Sequence, residues 1–209
     1  MDQTEKRQIP SLLKKILAAD VYLTKTFVTT FEKYVTLKQL KTHYKALEIS
    51  CHGITWIALT LASIWILNST SLYQMQVNLL MGFFIDIFIT AILKALTRRR
   101  RPAPNDDYFS IGPDKYSFPS GHASRSAFIV YFFLYLWEVP IFFVPSLIAW
   151  CTCVSLSRLL MRRHNILDIC AGIGLGILEA MLVNYLYLSQ DTCINLISWI
   201  TNEKIDDDL

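Results

Sequence analysis

Five stretches of this chain are apolar for long enough to cross a hydrocarbon layer of about 30 Å. They run from Ala46 to Leu67, Leu72 to Leu96, Ser120 to Trp137, Ile141 to Leu160 and Ile166 to Leu188. With 53% hydrophobic and 18% charged residues, the 209-residue chain is too apolar for a typical soluble domain of its size. The pattern predicts an all-α, polytopic membrane helix bundle of about five spans. Residues 46–188 form that domain, between a basic N-terminal arm (1–45) and a polar, acidic tail (189–209) that ends in Asp206, Asp207 and Asp208.

The arm is not a span, because Lys14, Lys15, Asp20, Lys25, Glu32 and Lys33 interrupt it. Leu13, Ile16, Leu23, Phe27, Phe31 and Val35 recur at helical steps, which predicts an amphipathic helix in the membrane interface or against the bundle. A basic cytosolic arm is the blander reading. No apolar run with a cleavage site follows Met1–Pro10, so no cleaved signal peptide is expected. The five cysteines are an odd number, and four lie in apolar stretches; they read as small buried hydrophobes rather than a disulfide framework or a zinc site. His43 and His52 read as structural. Asn165 can cap the last span, and Gly172, Gly174 and Gly176 allow a neighbouring helix to come close. Asp86 and Glu179 lie inside spans, as a polar pair or as the lining of a cavity.

Five spans place the 97–119 and 161–165 connections on one side of the membrane, with the arm. The Asn68-Ser69-Thr70 sequon and the tail fall on the other side, the sequon too near the membrane to be a good acceptor. The lysines of the arm assign the first side to the cytosol.

That side carries three clusters. Lys94 and Arg101, two helical turns apart, can share a helix face, and Arg158 ends the fourth span at the same level. These cations suit a phosphate dianion. Ser120 and Gly121 start the third span, where free N–H groups and the helix dipole attract anions. His164 and Asp168 stand at i and i+4, so the carboxylate can fix the imidazole as a nucleophile, and His122 can protonate a departing oxygen. No divalent-metal cage is expected, although Asp106, Asp107 and Asp114 lie in the loop. Taken alone, Arg98–Arg101 could be a membrane anchor or an acidic-headgroup site. Because it abuts a span, it is a poor nucleic-acid patch.

The motifs Lys94-Ala95-Leu96-Thr97-Arg98-Arg99-Arg100-Arg101-Pro102, Pro119-Ser120-Gly121-His122, and Ser157-Arg158 through His164 to Asp168 resemble those of the type 2 phosphatidate phosphatase superfamily of membrane lipid phosphatases. The resemblance implies cofactor- and metal-independent dephosphorylation through a phosphohistidine on His164. It implies His122 as proton donor, Asp168 as partner of His164, and Lys94, Arg101, Ser120, Gly121 and Arg158 as phosphate ligands. Arg98–Ala103, Asp114–Ala123 and Arg163–Asn165 look like the polyisoprenoid diphosphate phosphatase branch. That branch implies presqualene, farnesyl and geranylgeranyl diphosphates as substrates, residence in the endoplasmic reticulum and nuclear envelope, and Arg98–Arg100 as a place for a second phosphate. The alternatives are a phosphatidate or sphingoid phosphate substrate, phosphoryl transfer to an acceptor other than water, and an inactive membrane scaffold. A scaffold would be expected to have lost His122, Arg158, His164 or Asp168, and all four are present.

Overall fold

A computed structural model describes residues 10–34, 40–103 and 115–201. Its helices are α1 (Ser11–Tyr34), α2 (Lys41–Ser50), α3 (Gly53–Leu67), α4 (Thr70–Thr97), α5 (Gly121–Tyr131), α6 (Val144–Leu160), α7 (Ile166–Tyr185) and α8 (Gln190–Thr201). A π-helical segment, Phe132–Leu136, prolongs α5, and a 3-10 turn, Ile141–Phe143, leads into α6.

Among the described residues, three helical segments are long and apolar enough to cross a membrane: Thr70–Thr97, Ile141–Leu160 and Ile166–Tyr185. The first expected span is not one straight helix. Lys41–Ser50 and Gly53–Leu67 meet at a 51° bend and qualify only as a broken span or a re-entrant loop. The third is α5, 11 residues, running on into a π segment of 5, which is short of the ~20 residues a straight span needs. It sits at the centre of the bundle, where protein rather than lipid surrounds it. The bundle is therefore all-α and polytopic as read, with fewer full-length spans than five.

The core forms where α4, α5 and α7 meet, around Leu79, Phe83, Phe128, Ile129, Phe132, Ala180 and Val183. Close approach depends on small residues. A Cβ on Gly172 would stand 2.5 Å from the Ser120 carbonyl oxygen, one on Gly176 would collide with the Ser124 carbonyl oxygen, and one on Gly82 would enter the Phe128 ring. Gly174 has open space around it. Gly176→Val is therefore expected to lower the thermal midpoint in detergent, by an overpacking cost of about 1–3 kcal/mol or more. Gly174→Val should leave it nearly unchanged; equal shifts in the two variants would refute this packing. On the outer surfaces Ile54, Leu59, Trp65, Phe84, Phe88, Phe142 and Leu178 are exposed, as lipid-facing side chains must be.

Two polar interactions cross this core. Arg125 on α5 pairs with Asp86 on α4 (Nη2 to Oδ2, 2.5 Å), and Ser124 donates to Glu179 on α7 (2.8 Å). The in-span acids are thus a polar network of the bundle interior.

Three further expectations change. Residues 190–201 form a helix rather than a polar tail, and Cys193 and Ile197 bury themselves against Tyr73 and Val77 of α4. The residues from 202 on, like Asp106, Asp107 and Asp114, lie outside the described residues. Of the cysteines, all free, Cys51 and Cys193 are buried, but Cys153 and Cys170 are exposed, because their helices turn those faces outward. Finally, α1 meets the bundle with a polar edge. Asp20, Thr24 and Val28, four residues apart, are buried, while Leu12, Leu13, Ile16, Leu23 and Phe27 stay exposed. The arm is thus a helix that lies against the bundle.

The same contacts fix the two ends of the molecule. At one end α1 caps α7, the Thr24 hydroxyl accepting from the Ile166 amide (3.0 Å) and Asp20 from the Leu167 amide (3.0 Å). At the other, Tyr73 donates to Asn68 at the α3–α4 turn, and α8 packs beside it.

Candidate active site

The second membrane helix stops at Thr97 because Arg98 adopts a left-handed conformation (φ 50°), its amide closing onto the Lys94 carbonyl (3.0 Å). Lys94 is therefore in the last turn of α4, but Arg101 lies beyond the helix, and the two are not two turns apart on one face as the spacing predicts. Chain pairing places Arg101 instead. The Ser117 amide donates to the Arg99 carbonyl (2.8 Å), Tyr116 bridges to Arg100, and the Ala103 amide donates to Arg162 (3.1 Å). The two ends of the 97–119 connection are thus zipped together and tied to the 161–165 turn.

That zipper brings the clusters to the start of α5. Ser120 is its N-cap, its hydroxyl accepting from the Ala123 amide (3.4 Å) and its own amide donating to the Asp168 carbonyl (3.0 Å). The amides of Gly121 and His122 have no hydrogen-bond partner among the described residues and remain for an anion. Lys94 Nζ lies 4.0 Å from where a Cβ on Gly121 would be. The charges of Arg158, Arg125 and Lys94 all bear on His122. All eight residues read as site candidates are buried or partly buried at this one end of the bundle.

His164, 3% exposed, holds its Nδ1 2.7 Å from the Ser117 carbonyl oxygen. A carbonyl only accepts, so Nδ1 carries the proton and Nε2 keeps its lone pair. Burial, and then the cations Arg101 and Lys94, hold its pKa well below 6.5, outweighing the opposing effect of the Ser117 bond. A neutral imidazole with a bare Nε2 beside three cations can attack phosphorus.

The expected orienting partner is displaced. Asp168 Oδ2 stands 3.9 Å from His164 Nδ1, beyond a hydrogen bond, and the Ser117 carbonyl fixes the tautomer instead. Asp168 accepts from the amide of Asn165, the N-cap residue of α7 (2.8 Å), and from Arg99 Nη1 (2.6 Å). Arg99 reaches from there to Asp20 on α1 (2.5 Å). Its fork is spent on two carboxylates, which removes Arg99 from the places read for a second phosphate. His43 and His52 are exposed.

Arg158, 2% exposed in the last turn of α6, also has an unforeseen partner. Its Nη1 pairs with Glu48 Oε1 of α2 at 3.0 Å, and the Glu48 carbonyl oxygen lies 3.2 Å from His122 Nε2. The motifs assign no role to Glu48 or Ser117. Glu48 lies in an unremarkable segment at the edge of an apolar run, and Ser117 acts through its backbone, which no side-chain pattern reports.

Comparison with known proteins follows the same residues. The PAP2 superfamily model matches residues 76–191. A probable lipid phosphate phosphatase beta of Arabidopsis thaliana is 35% identical over 146 residues, covering 57% of this chain and 68% of the relative. The crystal structure of a transmembrane PAP2 type phosphatidylglycerolphosphate phosphatase from Bacillus subtilis aligns with a TM-score of 0.44 and 19% identity, over 79% of this chain and 94% of that one.

Proposed function

The chain belongs to the PAP2 superfamily, and from that premise we propose that it removes phosphate from isoprenoid diphosphates and monophosphates by way of a phosphohistidine on His164. The observation that carries this reading is the Nδ1-protonated His164, its Nε2 free, buried beside Lys94, Arg101 and Arg158 at the open amides of α5.

In the first half-reaction the Nε2 lone pair forms a bond to the terminal phosphorus as that phosphorus loses its bond to the leaving oxygen, which is the bridging oxygen of a diphosphate or the lipid oxygen of a monophosphate. His122 gives that oxygen a proton, and the three cations hold the charge spread over the phosphoryl oxygens. In the second, water attacks the phosphohistidine, His122 takes the water's proton, and inorganic phosphate leaves. Asp168 acts at one remove, its carboxylate held by Arg99 and the Asn165 amide at the start of α7. No metal or other cofactor enters either step. Residence in the membrane of the endoplasmic reticulum and nuclear envelope, with the site toward the cytosol, fits the lysine-bearing arm that docks beside the site.

Detergent-solubilised protein with chelator present should hydrolyse farnesyl and presqualene diphosphates faster than phosphatidate. Similarity to the plant lipid phosphate phosphatase favours the second reading, a broader lipid phosphate phosphatase, and a preference for phosphatidate or a sphingoid phosphate would establish it. Loss of all activity in chelator would sink the metal-free mechanism. The pH profile carries a further expectation. Because burial and neighbouring cations depress the His164 pKa, the acid limb of kcat/KM belonging to it should lie well below pH 6.5. Arg101→Gln removes one of those cations and should move the limb to higher pH. Comparing the two proteins on one substrate cancels the substrate's own ionisation near about pH 6. A limb that stays in place would contradict the electrostatic account of His164.

A further inference from the structure

Each nitrogen of the Arg158 guanidinium has a partner in this structure. Its Nη1 is on Glu48 Oε1 (3.0 Å), its Nη2 on the Met161 sulfur (3.2 Å) and its Nε on the Ser157 hydroxyl (3.3 Å). The Met161 and Ser157 partners are weak and neutral; Glu48 is a carboxylate, the group whose geometry most resembles two phosphate oxygens. The same residue holds His122, whose Nε2 lies 3.2 Å from the Glu48 carbonyl oxygen. One residue of α2 therefore occupies two groups that phosphate hydrolysis would need, one by charge and one through the backbone.

Glu48 also has somewhere else to bond. Its second oxygen, Oε2, accepts from Lys45 at 3.1 Å, one turn back on the same helix, and the Lys45 side chain is 56% exposed. The helix that carries both residues is short and meets α3 at a 51° bend at Cys51–His52.

We propose that Glu48 is an internal competitor for the phosphate site, a specificity-determining residue that holds Arg158 when the site is empty and yields it to an incoming phosphate. The carboxylate then keeps its bond to Lys45, and Arg158 turns its Nη1 to a phosphate oxygen. After hydrolysis Glu48 takes Arg158 back and helps inorganic phosphate to leave. This weakens the grip on phosphate, which a site of three cations and a helix N-terminus would otherwise hold too long. The role rests on the phosphatase reading, because Arg158 must be a phosphate ligand for Glu48 to compete with it.

Two variants on opposite sides of this exchange test it in the full-length protein in detergent, with inorganic phosphate as the probe. Glu48→Gln keeps the shape but removes the charge. It should tighten phosphate binding, read by calorimetry and by protection against thermal unfolding, by about tenfold or more. Lys45→Met removes the alternative partner, leaves Glu48 more firmly on Arg158, and should weaken phosphate binding. Unchanged or weaker binding in Glu48→Gln would overturn the inference, since a carboxylate that merely orients Arg158 toward phosphate is lost to binding when neutralised. Hydrolysis of a lipid phosphate is measured in parallel. Active protein with unaltered phosphate affinity in Glu48→Gln defeats the competitor role alone. A wild type that hydrolyses no lipid phosphate defeats the phosphatase reading and, with it, the product-release role of Glu48, whatever Glu48→Gln does to phosphate binding.

Discussion

His164→Ala is expected to reduce lipid phosphate turnover by about 10³-fold or more, the largest effect of any single change in this chain. Removing a nucleophile takes away the covalent path altogether, and what remains is whatever rate binding and charge stabilisation alone supply. The substitution also strands the Ser117 carbonyl, which loses its 2.7 Å bond. His164→Asn is the better-matched partner variant, because its amide can still donate there. Both should be inactive and both should fold. His122→Ala is expected to cost about 10²–10⁴-fold, the range for loss of a general acid. That deficit should shrink with an aryl phosphate, whose leaving group departs without a proton, whereas the His164 deficit should not. A His164→Ala protein with near-normal turnover would remove the proposed nucleophile, and equal rescue of both variants by the aryl ester would remove the division of roles.

The largest expected effect on stability lies away from the chemistry. Asp86→Ala leaves the buried Arg125 guanidinium with the Cys51 carbonyl (3.0 Å) as its one hydrogen-bond acceptor among the described residues. Breaking a buried ion pair by removing one partner costs about 3–5 kcal/mol. Asp86→Asn keeps an oxygen acceptor and should cost less. Thermal unfolding in detergent reads both, and a midpoint for Asp86→Ala equal to that of wild type would show that Arg125 finds another partner. The site should feel the change too, because Arg125 lies one turn beyond His122 on α5 and anchors that helix to the carbonyl of Cys51 where α2 meets α3.

The helical bundle was legible because lipid imposes a simple rule. Apolar runs must be helices there, and α4, α6 and α7 end within a few residues of where the hydropathy places them. The rule fails where protein replaces lipid as the surroundings. The central helix α5 is short, since its neighbours satisfy it, and the break at Cys51–His52 carries no proline to announce it. Cys193, Ile194 and Ile197 in α8 recur at helical spacing, a signal masked by the polar residues on either side.

The candidate site divides in the same way. Side chains whose chemistry is unusual beside a membrane, such as Lys94, Arg101, His122, Arg158, His164 and Asp168, stand out from the sequence and converge in space. Their partners do not stand out. Ser117 contributes a carbonyl oxygen. Arg99 looked like one more phosphate-binding arginine, yet its geometry commits it to Asp20 and Asp168. Glu48 and Asp20 reach the site from helices distant in sequence, so only folding reveals them. The spacing of His164 and Asp168 at i and i+4 implied a direct bond, but Asp168 sits inside the first turn of α7, held to the Asn165 amide, while His164 lies before that turn and bonds across to Ser117.

The most direct test of the phosphohistidine claim is to mix the detergent-solubilised protein with lipid phosphate labelled in its terminal phosphate, quench within the first turnovers, and map the labelled peptide. The label should reside on the peptide carrying His164, survive alkali, be lost in acid, and be absent from His164→Asn. Steady hydrolysis with no protein-bound label, or with label on a peptide lacking His164, would contradict the account.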